Sequence, residues 1–300
     1  GVKRGDIPGP RMFVAGKSLA VMGGHGDPTN GFREDILDVP DIEEGVVNGP
    51  ESARRAALLA IKRGADVIKI TATGGVLSIA QNGQNPQFAE DEIKVIVDTA
   101  KDFGLKVAAH AHGAEGMKRA IRAGVSSIEH GTYMDDEVIR LMKEHGVYWV
   151  PTIIAGKSVA EYAKIDGYYH PLVVPKALAI GPVIQETFRR AYRAGVPIAF
   201  GTDASVFPHG QNAKEFEYMV EGGMPPMEAI RAATYHAATL LGKLEELGTA
   251  EPGKWADLVA VDGDPLKDIR VLQKISFVMK EGVVYKMQGK LTLSAAEPKN

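Results

Sequence analysis

Residues 107–131 read VAAHAHGAEGMKRAIRAGVSSIEHG. Two short apolar or β-branched runs, Lys106-Val107-Ala108-Ala109 and Val125-Ser126-Ser127-Ile128, each lead into a histidine, His110 and His130. A helix-like segment separates them, so the stretch is strand, helix, strand. Two neighbouring strands that end in histidine can hold a metal ion between them, because neutral imidazole is the commonest protein ligand for divalent metals.

The same phrase recurs outward in both directions: an amphipathic helix, a glycine, an apolar strand, then a polar residue. Gly64 leads to Val67-Ile68-Lys69, Gly104 to His110, Gly124 to His130, Gly146 to Tyr148-Trp149-Val150-Pro151-Thr152, and Gly195 to Ile198-Ala199-Phe200-Gly201-Thr202-Asp203. Glycine suits the junction because helices commonly close through a left-handed residue. The polar residue falls five to eight positions past each glycine, which places all five at the carboxyl ends of their strands. Repeated helix–strand units with nearly continuous apolar strands predict a parallel sheet covered by helices. The spacing favours a (β/α) barrel, whose chemistry gathers at the carboxyl ends of the strands. An open doubly wound sheet is the competitor, but the glycine cluster expected after its first strand is missing.

Upstream, Arg11 to Ala15 reads as a short strand followed by the loop Gly23-Gly24-His25-Gly26-Asp27, and Pro50 opens a helix to about Arg63. Longer insertions follow Lys69 (Thr73 to Pro86) and Thr152 (Ile153 to Pro175), both expected as loops overhanging a pocket. Helices are expected at Ala213–Glu221, Pro226–Thr234 and His236–Leu241. Beyond Gly248 the texture changes to short β-strands at Asp257–Val261, Ser276–Met279 and Val283–Tyr285, with a turn at Glu281-Gly282 and a frayed tip from Ser294. The expected division is a barrel domain at 1–247 and part of a small β-domain at 248–300.

With 45% hydrophobic and 24% charged residues, the 300-residue chain has ample material for a core. A net charge of −3 leaves no nucleic-acid footprint and no polybasic membrane patch. No apolar run approaches the roughly 20 residues of a membrane span. The chain has no cysteine, so any metal is held by His, Asp, Glu or Lys. His110 and His130 are read as metal ligands. Asp203 either caps a helix or binds the ion and collects a proton from water. Lys69 stands in an apolar strand where a free ammonium is expensive to bury. It either snorkels to solvent or carries a modified, carboxylated amine. Among the rest, His25 is either a plain loop residue or a candidate hydrogen-bond donor to a substrate carbonyl, and Tyr133 either a rim residue without a role or a candidate substrate-orienting residue. His112 is read as alternating away from His110 into supporting packing, and Trp149 and Trp255 as core and domain-interface packing. Asp135-Asp136-Glu137 opens a helix and suits the positive end of its dipole.

The set VIKITATGG (Lys69), HAHG (His110), IEHGT (His130) and FGTDAS (Asp203), with GGHGD near the start and PGKWADLVAVDGDPL near the end, resembles the amidohydrolase superfamily. The nearest branch is its Xaa-Pro dipeptidase and imidazolonepropionase-like members. The resemblance implies a distorted (β/α)8 barrel of the metal-dependent hydrolase kind with a small β-sandwich domain. It also implies two divalent metals, usually zinc, bridged by carboxylated Lys69, with His110 and His130 on one and Asp203 on the other. The implied reaction is hydrolysis of amide C–N bonds in a dipeptide or N-acyl amino acid, Xaa-Pro type first. A metal-bridging hydroxide attacks, and Asp203 acts as general base and then acid. Two alternatives stand beside it: a cyclic amidohydrolase of the imidazolonepropionase kind, and a catalytically incomplete fragment or assembly partner. The first-strand His-x-His of the superfamily has no counterpart here, since His110-Ala111-His112 matches the fifth strand. The first strands of the barrel are therefore expected to be missing, leaving an exposed seam and self-association as a homo-oligomer. A cytoplasmic location is expected.

Overall fold

The computed structural model of the chain describes residues 1–33 and 35–292. The described residues fall into two compact units, one formed by residues 14–209 and the other by residues 1–13 with 210–292. Residues 210–247, assigned from sequence to the barrel, thus group with the C-terminal strands.

In the first unit, β1 (Ala20–Val21) and β2 (Val46–Val47) form a small parallel pair. Then helix and strand alternate: α1 (Pro50–Lys62), β3 (Ile68–Thr71), α2 (Glu90–Asp102), β4 (Val107–Gly113), α3 (Ala114–Ala123), β5 (Ser127–Tyr133), α4 (Asp136–His145) and β6 (Tyr148–Val150). The four strands β3 to β6 are parallel and lie side by side in chain order. Single bridges widen the sheet at both edges, Leu19 to Ile70 and Ile198 to Trp149. The fifth strand expected at Ile198–Asp203 is reduced to that bridge, with Ala199 N donating to Trp149 O at 2.9 Å. No closed ring of strands occurs among the described residues.

Local chemistry explains the junctions. Gly124 and Gly146 close α3 and α4 in left-handed backbone, φ 100° and 64°. Asp135 caps α4 by accepting from Val138 N at 2.8 Å, and Lys118 pairs with Asp135 and Glu137, so the acidic run begins the helix as expected. The interior is filled by Ile68, Ile70, Ile128, Met117, Ile121, Phe88, Phe188 and Trp149, each under 2% exposed. Side chains of this kind contribute about 1.5–3 kcal/mol each on full burial. The second insertion, expected as a loop, opens with helix α5 (Ile153–Tyr162) and runs into the start of the long α6 (Val174–Arg193), and the two helices pack together. In α5, Ile153, Ile154, Ala155, Val159 and Ala160 are buried.

The second unit holds α7 (Lys214–Glu221), α8 (Pro226–Arg231), a π turn at Ala232–His236 and α9 (Ala237–Leu241). It also holds an antiparallel sheet of β7 (Leu258–Val261), β8 (Ile275–Lys280), β9 (Val283–Met287) and β10 (Lys290–Leu291), in the order β10-β9-β8-β7. Glu281 and Gly282 turn β8 into β9 with φ of 53° and 80°, both positive as a tight hairpin requires. A second sheet to complete a sandwich is absent among the described residues. The expected strand Arg11–Ala15 does not form. Instead Arg11 pairs with Asp257 and Glu281 and lies over the Trp255 ring, and it gains no ladder partner. Trp255 is 46% exposed. The tip from Ser294 lies outside the described residues. No described helix is long and apolar enough to cross a membrane.

Candidate active site

Strand register decides which polar side chains meet. In the ladder Thr71 pairs with His110, His110 with Glu129, Ala111 with His130, and Glu129 with Val150. Thr71 and Val150 end β3 and β6, whereas His110 and His130 stand mid-strand, because β4 and β5 each run three residues past the histidine expected to end them; a cavity of about 410 Å³ opens over them. His25, Lys69, His110, His130 and Asp203 all line it, so five of the six candidate residues share one hollow. Tyr133, the last residue of β5, is not among the lining residues. It is half-buried, and burial raises its phenol above the ordinary value.

Four imidazoles crowd the polar end. The His110 ring lies 4.5 Å from His25, 4.8 Å from His112 and 4.8 Å from His130 between centroids, and His112 stacks on His130 at 5.0 Å. His112 is thus a wall of the cavity and does not alternate away from His110. Residues two apart on a strand share a face, and both side chains are 5% exposed. Burial, reinforced by neighbouring positive groups, pushes His110, His112 and His130 well below the ordinary histidine value of 6.5. His25 is lowered by burial first, then by Lys176 and Lys69. The rings are therefore neutral at pH 7. His110 Nε2 faces the Gly74 carbonyl at 3.0 Å. A carbonyl only accepts, so Nε2 carries the proton and Nδ1 keeps its lone pair. His130 Nδ1 is held by Thr152 Oγ1 at 2.8 Å, and His112 Nδ1 by Thr132 Oγ1 at 2.9 Å.

Two features were not read from the sequence. Glu129, in the same strand as His130, forms an ion pair with Lys69 and accepts from Ser127 Oγ at 2.6 Å. Its signal was available, since a carboxylate beside an apolar Ile128 is as costly to bury as the lysine. Lys69 Nζ meets the Glu129 carboxylate inside the site and so does not reach out to solvent alone. The carboxylated form requires that pair to part. The second feature is backbone strain. His130, Thr152 and Asp203 have φ of 70°, 51° and 56°, a left-handed region that costs a non-glycine residue about 1–3 kcal/mol and clusters at functional sites. Trp149 braces the first of these by donating Nε1 to the His130 carbonyl at 2.9 Å. Gly131 makes that approach possible, because a Cβ there would lie 2.5 Å from Trp149 Nε1.

The Asp203 carboxyl is raised above its ordinary value by burial, opposed by Lys69 and assisted by Glu129. Opposite the polar end, Val76, Leu77, Val159, Ile180, Ile184 and Val206 form an apolar wall. The donor types fit a divalent cation in kind: neutral imidazoles with a free lone pair, and carboxylates. Yet among the described residues no three His, Asp or Glu side chains gather closely enough to hold one. The cavity supplies part of a coordination sphere.

Known proteins carry this arrangement further. The amidohydrolase family model matches residues 2–286. The chain is 38% identical over 308 residues to ochratoxinase of Aspergillus niger, covering 96% of this chain and 62% of that protein. It therefore spans less than two thirds of that curated relative. It is 30% identical over 180 residues to imidazolonepropionase of Geobacillus kaustophilus, covering 57% of this chain and 37% of that one. A solved Xaa-Pro dipeptidase with methionine bound in its active site superposes with a TM-score of 0.93 at 56% identity, covering 95% of this chain and 70% of that one. A prolidase complexed with N-methylphosphonate-L-proline gives 0.86 at 36% identity, covering 96% and 72%. Matched along nearly its whole length, the chain belongs to the amidohydrolase family.

Proposed function

We propose that the cavity of residues 14–209 is the active site of a metal-dependent hydrolase of amide C–N bonds, acting on dipeptides of the Xaa-Pro type. The observation that carries this reading is the meeting of His25, Lys69, His110, His130 and Asp203 in one hollow over the parallel strands. The likeness to a Xaa-Pro dipeptidase at 56% identity supports the substrate class. On this reading the parallel sheet is part of a (β/α)8 barrel, and the antiparallel sheet is part of a small β-sandwich.

His110, His130, Asp203 and a carboxylated Lys69 would hold the divalent metal, zinc in the first instance. When bound, such an ion polarises a carbonyl and lowers the pKa of water to about 7. The chain's own side chains do the rest. The neutral His25 ring donates a hydrogen bond to the substrate carbonyl oxygen. Asp203, whose carboxyl burial raises above its ordinary value, takes the proton of the attacking water at its carboxylate and returns it to the leaving nitrogen. The apolar wall receives an apolar side chain and excludes water.

A second reading makes the chain a hydrolase only in company with donors from another chain. The absence of a three-donor cluster among the described residues favours it. Zinc-loaded chain incubated with a panel of Xaa-Pro dipeptides and N-acyl amino acids tests both. Release of free proline that disappears in Asp203→Asn is expected. Bound zinc without any C–N hydrolysis would leave the second reading, and neither binding nor hydrolysis would end the first.

A further inference from the structure

We infer that Lys176 is a positioning residue whose ammonium serves as the built-in cation of a three-carbonyl cage, latching residues 75–80 against His25. Its Nζ donates to the carbonyls of Ser78 at 2.7 Å, Ala80 at 2.6 Å and Gly75 at 3.3 Å. All three ammonium protons are thereby engaged by one short segment of the first insertion. Among the described residues no carboxylate pairs with Lys176, so its charge is balanced by peptide dipoles alone.

The position of Lys176 argues that helix stability did not select it. It is the third residue of α6, a helix with no acidic residue in its first turn. A cation there opposes the positive end of the helix dipole. The compensating interaction is the loop. Apolar contact acts alongside, because Val76 packs in one cluster with Val159 and Val173 of the second insertion and with Ala177 and Ile180 of α6. The first insertion is therefore joined to α6 and to the end of the second insertion by a polar and an apolar clasp.

The latch reaches the site through His25. Ser78, whose carbonyl Lys176 holds, also brings its hydroxyl to His25 Nδ1. Gly75, held by the same ammonium, presses on the ring so closely that a Cβ there would lie 2.1 Å from His25 Cε1. His25 in turn lies 4.5 Å from His110. Without the ammonium, three carbonyls turned toward one point repel each other, and the segment loses its reason to lie over the ring.

Ordering of the segment is measurable whether or not the chain hydrolyses anything, so failure here is distinct from failure of the hydrolase reading. In the unaltered protein, nitrogen-15 NMR of lysine ammonium groups is expected to show Lys176 protons exchanging with water about tenfold or more slowly than those of solvated lysines, the loss expected for charge-assisted bonds. Thermolysin cleavage at residues 76–81 is expected to rise about tenfold in Lys176→Ala, as local opening becomes easier. Ethylammonium should restore protection in that variant, tetramethylammonium should not, and Lys176→Arg should stay protected. Should the hydrolase reading hold, Lys176→Ala raises KM more than it lowers kcat. Fast exchange of the Lys176 ammonium, or equal cleavage of variant and parent, overturns the latch. So does cleavage that ethylammonium leaves unchanged.

Discussion

At His130 three constraints coincide: left-handed backbone, a carbonyl held by Trp149, and a ring nitrogen held by Thr152. Such over-determination is what lets a strained residue persist, and it sets the imidazole before any ligand arrives. Asp203 shares the left-handed backbone, and asparagine tolerates that region as well as aspartate does. Asp203→Asn should therefore melt like the parent, while hydrolysis falls about 10²- to 10⁴-fold with the loss of a proton acceptor. Unchanged turnover of Xaa-Pro substrate would remove Asp203 from the chemistry. The histidines make a separate forecast. His110, His112 and His130 have folded pKa values well below 6.5, so below that pH the unfolded chain binds protons that the folded chain refuses. Their contribution is present above about pH 6.5 and is lost as pH falls, by about 1.4 kcal/mol per pH unit for each such histidine. Urea melts at pH 7.5 and 5.5 should show the drop, and a triple His→Gln variant should flatten it. Asp203, raised in the folded state, works with the opposite sign, in the carboxylate range.

Elements of the first unit follow from short-range chemistry, which is why most were legible. A glycine past each helix and an apolar run after it are local instructions, and the ranges of α1, β4, β5 and α4 follow them closely. The Asp135 cap is one such instruction. Asp135→Ala should cost about 1 kcal/mol, read as a lower urea midpoint with unchanged slope. Two elements escaped for physical reasons. The Ile198 segment lacks ladder partners beyond Trp149, so an apolar run there yields a bridge where a strand was expected. The Ile153–Tyr162 helix borrows its stability from α6 across a buried face, and that partner lies beyond any local window. His112 was misplaced because its period of two with His110 was set aside.

For the whole molecule, the proposed metal is the term that couples site to stability. A ligand that binds only the folded chain stabilises it by about 2.7 kcal/mol at a hundredfold excess over Kd. Zinc should therefore raise the Tm of the parent, and the rise should vanish in His110→Ala and His130→Ala alike. A zinc-independent Tm would count against the metal reading. Sequence by itself determined the order of helix and strand, the absence of thiolate ligands, the donor types at the strand ends, and the family likeness. These are local or compositional properties, written in residue types and their spacing. Only the tertiary structure decided that Glu129 meets Lys69, that His112 shares the wall with His130, that Tyr133 is not among the cavity's lining residues, and that Lys176 of α6 clasps the first insertion. Those pairings depend on inter-strand register and on loop closure over tens of residues, and no single segment encodes either.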